Sequence, residues 1–243
     1  MIKRALFFGY GVAAYATFLG TFLYAIGFVS GFGAPKVLDA PADGPFGRAL
    51  LTDAALLTLF AVQHSVMARR WFKERWTRLV PCALERSTYV LFASLALIVL
   101  FWQWKPLGIA IWTVSDPVAR LVLWTVAAFG WMQVLVTTFL INHFDLFGLR
   151  QVWLQLVGRP YTKVSLVTPM PYRVVRHPIY FGWVLITFGT PLMTGTRLSF
   201  AIISTAYLMV AVPFEERSLV GTLGDEYRKY QRRVRWRMIP GVY

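Results

Sequence analysis

The sequence predicts an all-α integral membrane protein of about six membrane helices, the last two a short hairpin, with a cytoplasmic C-terminal helical tail. Three observations predict it. Hydrophobic residues make up 57% of the 243 and charged residues only 15%, against about 45–50% and about 25% in soluble domains. Apolar runs near the roughly 20 residues that a crossing helix needs recur along the chain. The cations, finally, fall on alternate connecting segments.

In order, the runs are 5–29, 48–67, 87–104, 118–141, 180–195 and 198–214. The first follows Lys3 and Arg4 and shows no small-residue cleavage site, so it reads as a retained helix, not a signal peptide. The segment 30–47, SGFGAPKVLDAPADGPFG, is rich in Gly and Pro and reads as a loop. The fifth and sixth runs are short and separated by TGTR, with Pro191 near the turn. A helix over Glu215–Leu223, a break at Gly224 and a second helix from Asp225 follow from the polar tail. The organisation is one integrated domain: 1–141 as helices one to four on the substrate-pocket side, and 142–243 as the core that ends in the tail.

With the N-terminus inside, the inner segments hold 20 of the 25 Lys and Arg residues, leaving Lys36, Arg48, Lys105, Arg120 and Arg197 outside. That asymmetry places both termini in the cytoplasm. It also accounts for the net charge of +14 through the membrane, without nucleic acid. A lone cysteine, Cys82, excludes an internal disulfide and a multi-cysteine metal site.

Polar groups in an apolar chain need a reason. Glu215 and Glu216 close the sixth run. They suit either an ion pair with Arg217, Arg176 or Arg173, or a ligand carrying hydroxyls or positive charge. The arginine-rich tail beyond them has the character of an amphipathic helix on anionic lipid, which leaves the paired glutamates unexplained. The run VRHPIYFG, 175–182, opens the fifth helix. Pro178 is at home in a first turn, whose N–H groups can receive an anion, and Gly182 permits close backbone approach. Gln63, His64, Glu85, Arg86, Asn142, His143 and Asp145 gather near the inner boundary. For Glu85 and Asp145, pairing with Arg86 or Arg150 is the alternative to chemistry. A transporter would carry such residues at mid-membrane. His64, His143 and His177 lie in separate helices without metal-ligand spacing, so no metal is expected.

The order L-V-T-x-x-x-Y-x-x-x-R-H-P-x-Y-x-G, an apolar hairpin, E-E, then G-D-E-Y-x-x-Y-x-x-x-V and a late proline resembles the isoprenylcysteine carboxyl methyltransferase and phospholipid methyltransferase superfamily. The resemblance implies S-adenosylmethionine as cofactor, S-adenosylhomocysteine as its product, and contacts from Val164, Ser165, Leu166, Val167, Tyr172, His177, Pro178, Ile179, Tyr180 and Glu216. Glu215, Tyr227 and Tyr230 are further candidates. Isoprenylcysteine enzymes carry an arginine in the turn before the glutamates; AYLMVAVPF has none, which argues against a carboxylate substrate.

The stretches LFAVQHSVMARRWFKERW and TTFLINHFDLFGLRQVWLQLVGRPYT are similar to bacterial methanethiol S-methyltransferases. That implies a bacterial cytoplasmic-membrane enzyme that methylates methanethiol to dimethyl sulfide, and other small thiols such as hydrogen sulfide. An isoprenylated cysteine or a phospholipid amine is the alternative acceptor. A thiol is mostly protonated at neutral pH and reacts as thiolate, so a base helps; the candidates are His64, His143 and Asp145. Phe139, Phe144, Phe147 and Trp183 are candidates to line a small apolar pocket.

Overall fold

A computed structural model describes residues 1–42, 44–162 and 165–243. In chain order the elements are α1 (Ile2–Ser30), α2 (Phe46–Ala68), α3 (Arg70–Trp76), α4 (Cys82–Gln103), β1 (Ala110–Thr113), α5 (Pro117–Ile141), α6 (His143–Leu146), α7 (Leu149–Leu156), α8 (Met170–Val174), α9 (Pro178–Phe188), β2 (Leu192–Thr194), α10 (Gly195–Leu223) and α11 (Asp225–Arg233). Among the described residues five helices are long and apolar enough to cross a membrane: α1, α2, α4, α5 and α10. The protein is an all-α integral membrane protein, with one two-stranded ribbon.

Two compact units interleave along the chain: Met1–Leu107 with Asn142–Lys163, and Gly108–Ile141 with Val164–Tyr243. In the first, α4 packs against both α1 and α2, and α7 packs on α1. Gly11 makes room there, since a Cβ would fall 2.4 Å from a Val152 methyl. At the far end of these helices the buried Asp53 carboxylate accepts from the Lys105 N–H at 2.9 Å. Lys36 Nζ donates to the Trp104 carbonyl at 3.1 Å, satisfying a carbonyl that the end of α4 leaves unpaired.

In the second unit α5 and α9 run side by side at backbone contact, as the small-residue seams of membrane helices do. Gln133 Nε2 donates to the Pro178 carbonyl at 2.9 Å, fixing the start of α9 on α5. The fifth apolar run is not the 180–195 helix that hydropathy suggests. Its helix has 11 residues, about 16 Å at 1.5 Å per residue, so helix alone makes only about half of this passage through a core of about 30 Å. After Gly189 the chain becomes extended, and β2 pairs antiparallel with β1 through Ala110–Thr194, Trp112–Met193 and Thr113–Leu192. The sixth helix is correspondingly longer than 198–214. α10 has 29 residues with Pro213 inside and runs about 43 Å, beyond a hydrocarbon core of about 30 Å. Glu215 and Glu216 therefore lie within the helix and not after it. The break at Gly224, with φ +60°, and a helix from Asp225 are as the sequence indicates.

Candidate active site

In the second unit the site is built around the α10 glutamates. Glu216 is 4% exposed. Its Oε1 accepts from Arg176 Nε at 2.6 Å and lies 3.2 Å from His177 Nε2. Its Oε2 accepts from Arg176 Nη2 at 3.3 Å and from Gln231 Nε2 at 3.1 Å, with Arg237 Nε at 3.6 Å. A buried carboxylate is tolerable only when paired and hydrogen-bonded, and this one meets side chains from three parts of the chain. Arg176 extends the knot: its Nη1 donates to the Val234 and Arg235 carbonyls at 2.7 and 3.1 Å. The backbone follows, with Arg176 N–H to Trp236 O and His177 N–H to Arg237 O. The tail is thereby fastened to the segment that begins α9.

Glu215 differs from its neighbour. Its side chain is 44% exposed. Tyr180 Oη donates to its Oε2 at 2.7 Å, and His177 Nδ1 is 3.6 Å away. The His177 and Tyr180 rings stack at 5.3 Å with 4° between planes. Pro178 sits at the first helical position, where no N–H is missed. Tyr227, Tyr230 and Val234 of the tail form a buried cluster against Leu166 and Tyr172, and Tyr230 Oη donates to the Tyr172 carbonyl at 2.8 Å. Burial, then the Glu215 charge, raises the Tyr172 phenol. Burial pushes Tyr230 up to about 12 against the pull of Arg176 and Arg233. Both remain neutral O–H donors at ordinary pH.

In the first unit His64 and His143 each meet a tyrosine. Tyr15 Oη lies 2.8 Å from His143 Nε2. Tyr89 Oη lies 2.8 Å from His64 Nε2. His143 is 3% exposed and ringed by Tyr15, Phe18, Phe144 and Phe147, with centroids at 4.7–6.5 Å. Phe18 stacks on Phe147 at 3.8 Å, and both pack on the cluster that contains Tyr89. The two His–Tyr pairs thus flank one aromatic layer. Arg86 links them, its guanidinium 4.8 Å from the Tyr89 ring centroid and its Nε donating to the Leu146 carbonyl at 2.7 Å.

His143 follows a residue in the left-handed backbone region. Asn142 has φ +114°, the positive value among described residues other than glycine, and its side chain caps Asp145 N–H at 3.2 Å. Such strain persists where surrounding structure holds it. Burial lowers the His143 pKa, so the fold favours the neutral ring. The unfolded ring protonates near 6.5. Stability is therefore expected to fall as pH drops below about 6.5, and His143→Gln should flatten that slope in thermal unfolding scans.

Of the ion pairs considered for the glutamates, Arg176 is the partner realised, on Glu216. Asp145 pairs with Arg150 at 2.8 Å and accepts from Tyr161 Oη at 3.2 Å. Glu85 pairs with Lys73 at 3.3 Å, not with Arg86 or Arg150. Phe139 and Phe144 are about half exposed. Phe147 belongs to the His143 cluster, and Trp183 donates to Ser204 Oγ at 3.0 Å. Phe139 and Trp183 belong to the second unit, Phe144 and Phe147 to the first. Val167 is exposed and Ser165 likewise, Ile179 is half-buried on the first turn of α9, and Val164 lies outside the described residues. Sequence reasoning missed Tyr15, Tyr89 and Gln231. The signal available for Tyr15 was a hydroxyl inside an apolar run, which wants a partner.

Residues 122–226 match the family model described as phospholipid methyltransferase. The chain is 51% identical over 233 residues to a methanethiol S-methyltransferase of Mycobacterium tuberculosis, covering 96% of both chains. It is 50% identical over 233 residues to a methanethiol S-methyltransferase of Crocosphaera subtropica, covering 96% of this chain and 91% of that one. Methanethiol S-methyltransferase 1 of Bradyrhizobium diazoefficiens is 50% identical over 233 residues, with 96% and 82% covered. No solved structure matches the chain. Half of all positions agree from end to end with proteins of one name, and the chain belongs to the methanethiol S-methyltransferase family of membrane methyltransferases.

Proposed function

We propose that the protein transfers a methyl group from S-adenosylmethionine to methanethiol, giving dimethyl sulfide and S-adenosylhomocysteine, and that it accepts other small thiols such as hydrogen sulfide. One observation carries the acceptor: identity of about one half along almost the whole chain to proteins that bear that name. The donor rests on the chemistry of the second unit. A sulfonium nucleoside with an amino-acid end needs an acceptor for hydroxyls or ammonium, aromatic surface and donors for a carboxylate. Glu215, Tyr180, His177 and Tyr172, together with Ser165–Val167, are the residues that would hold it. When bound, the cofactor supplies an electrophilic methyl group on a cationic sulfur.

The rest is done by this chain. Glu216 is saturated by protein donors, so its role is to hold His177 and the tail in place. Glu215 is the carboxylate that faces outward, oriented by Tyr180. A base must take the thiol proton; we assign His143, whose burial keeps it neutral, with His64 as the second candidate. Asp145, engaged by Arg150 and Tyr161, keeps the segment after His143 in shape. The bacterial cytoplasmic membrane, with both termini in the cytoplasm, is the proposed location, on the 20:5 charge split.

Purified protein given S-adenosylmethionine and methanethiol is expected to release dimethyl sulfide into the headspace. No product, with no cofactor binding, would overturn the reading. Glu215→Gln removes the charge and keeps the shape. A hydrogen bond to a charged group is worth about 1.5–3 kcal/mol, so cofactor affinity measured by calorimetry is expected to fall about 10- to 100-fold, with thermal stability unchanged.

A further inference from the structure

We propose that Tyr15 is the residue that meets the thiol, taking up its proton while passing its own to Nε2 of His143. The inference rests on the reading above, in which a thiol is the acceptor and His143 the base.

Two observations carry it. His143 is 3% exposed and enclosed by four aromatic rings, so a substrate has little access to the imidazole. Tyr15 is only half-buried, and its Oη stands 2.8 Å from His143 Nε2. Tyr15 is therefore the member of the pair with exposed surface. This is the arrangement of an activated hydroxyl and its base, used here to move a proton. A hydroxyl donates once and accepts through two lone pairs, so Tyr15 can donate to Nε2 and accept from S–H together. That requires the Nδ1–H tautomer of His143, set by the Tyr15 bond.

The step balances. The S–H bond breaks and its proton goes to Tyr15 Oη. The Tyr15 O–H bond breaks and that proton goes to His143 Nε2. The thiolate electron pair forms the new S–CH3 bond; the bond from that carbon to the donor sulfur breaks, and its pair stays on the donor sulfur. His143 then returns a proton through Tyr15 Oη, which releases one to water. Tyr15 of α1 faces the His143 ring directly; on the same short helix Asp145 pairs with Arg150 of α7, and the Leu146 carbonyl accepts from Arg86 of α4.

The test is Tyr15→Phe, which keeps the ring contacts and removes the hydroxyl. In full-length enzyme, kcat with methanethiol is expected to fall about 10- to 100-fold, within the range of general acid–base catalysis. Cofactor affinity should not move, and the acidic limb of the kcat profile should vanish, because His143 no longer lies on the proton path. His143→Gln should cost the same, and the double variant no more than either, as groups acting as one unit behave. A Tyr15→Phe enzyme with wild-type kcat beside a slow His143→Gln enzyme would overturn the relay and leave the base standing. Wild-type rates in both would overturn both assignments. Wild-type protein that makes no dimethyl sulfide would overturn the acceptor itself. If Tyr15→Phe does not fold, a fluorinated tyrosine at residue 15 keeps the shape, and an unchanged kcat would equally overturn the relay.

Discussion

Glu216→Ala is expected to destabilise the second unit strongly, and not merely to weaken cofactor binding. Removing one partner of a buried ion pair leaves the other charge without its counterion, at a cost of about 3–5 kcal/mol. Arg176 is 8% exposed and would keep only the Val234 and Arg235 carbonyls. The total stability of a domain is about 5–15 kcal/mol, so the loss is a large share. It should appear as a lower unfolding temperature in detergent and as early proteolysis of the tail, since Gln231 and Arg237 lose their anchor in the same change. Replacing both partners, Arg176→Met with Glu216→Leu, removes the charges together and is expected to restore much of the stability without restoring activity. A Glu216→Ala protein of wild-type stability that binds cofactor weakly would instead make Glu216 a direct ligand contact.

The contrast between the adjacent glutamates shows what the sequence could and could not tell. Composition placed the first four crossing helices to within a few residues, because lipid as solvent demands an apolar surface and internally satisfied backbone. The reading 118–141 against the observed Pro117–Ile141 is the nearest match, and 87–104 against Cys82–Gln103 the furthest. The last two were misjudged for long-range reasons. After Gly189 the chain leaves the helix to pair with β1, about 80 residues earlier in the chain, and hydropathy carries no trace of a strand partner. At its other end the apolar run stops at the glutamates, so hydropathy divides one helix into a crossing segment to 214 and a separate polar helix over Glu215–Leu223. Arg176, 40 positions away, neutralises one of them and the helix continues to Leu223. The same holds at the site. The order of motifs marked His177, Tyr180 and Glu216 ahead of Glu215, but not that Glu216 is taken up by Arg176, His177 and Gln231 while Glu215 faces outward. His143 was visible as a polar residue near a boundary; Tyr15, 128 positions earlier, was not visible as its partner.

The second large effect is expected at Gly182. A Cβ there would lie 2.9 Å from the Gly130 carbonyl oxygen and 2.9 Å from a Val134 methyl, and one on Gly130 would lie 2.7 Å from the Gly182 carbonyl oxygen. Neither backbone can retreat as a flexible side chain would, so the helices must part. Overpacking costs about 1–3 kcal/mol, and Gly182→Val adds a branched side chain beyond the Cβ. Two residues before it stands Tyr180, whose hydroxyl holds Glu215 at 2.7 Å. If α9 is pushed off α5, Tyr180 leaves with it, so cofactor affinity should fall together with the unfolding temperature. Gly182→Ala should show the same coupling at smaller size. With Gly130→Ala added, the loss should not be the sum of the two, because the first substitution already opens the seam that the second would strain. A Gly182→Val protein with full stability and affinity would show that α5 and α9 do not meet at these glycines.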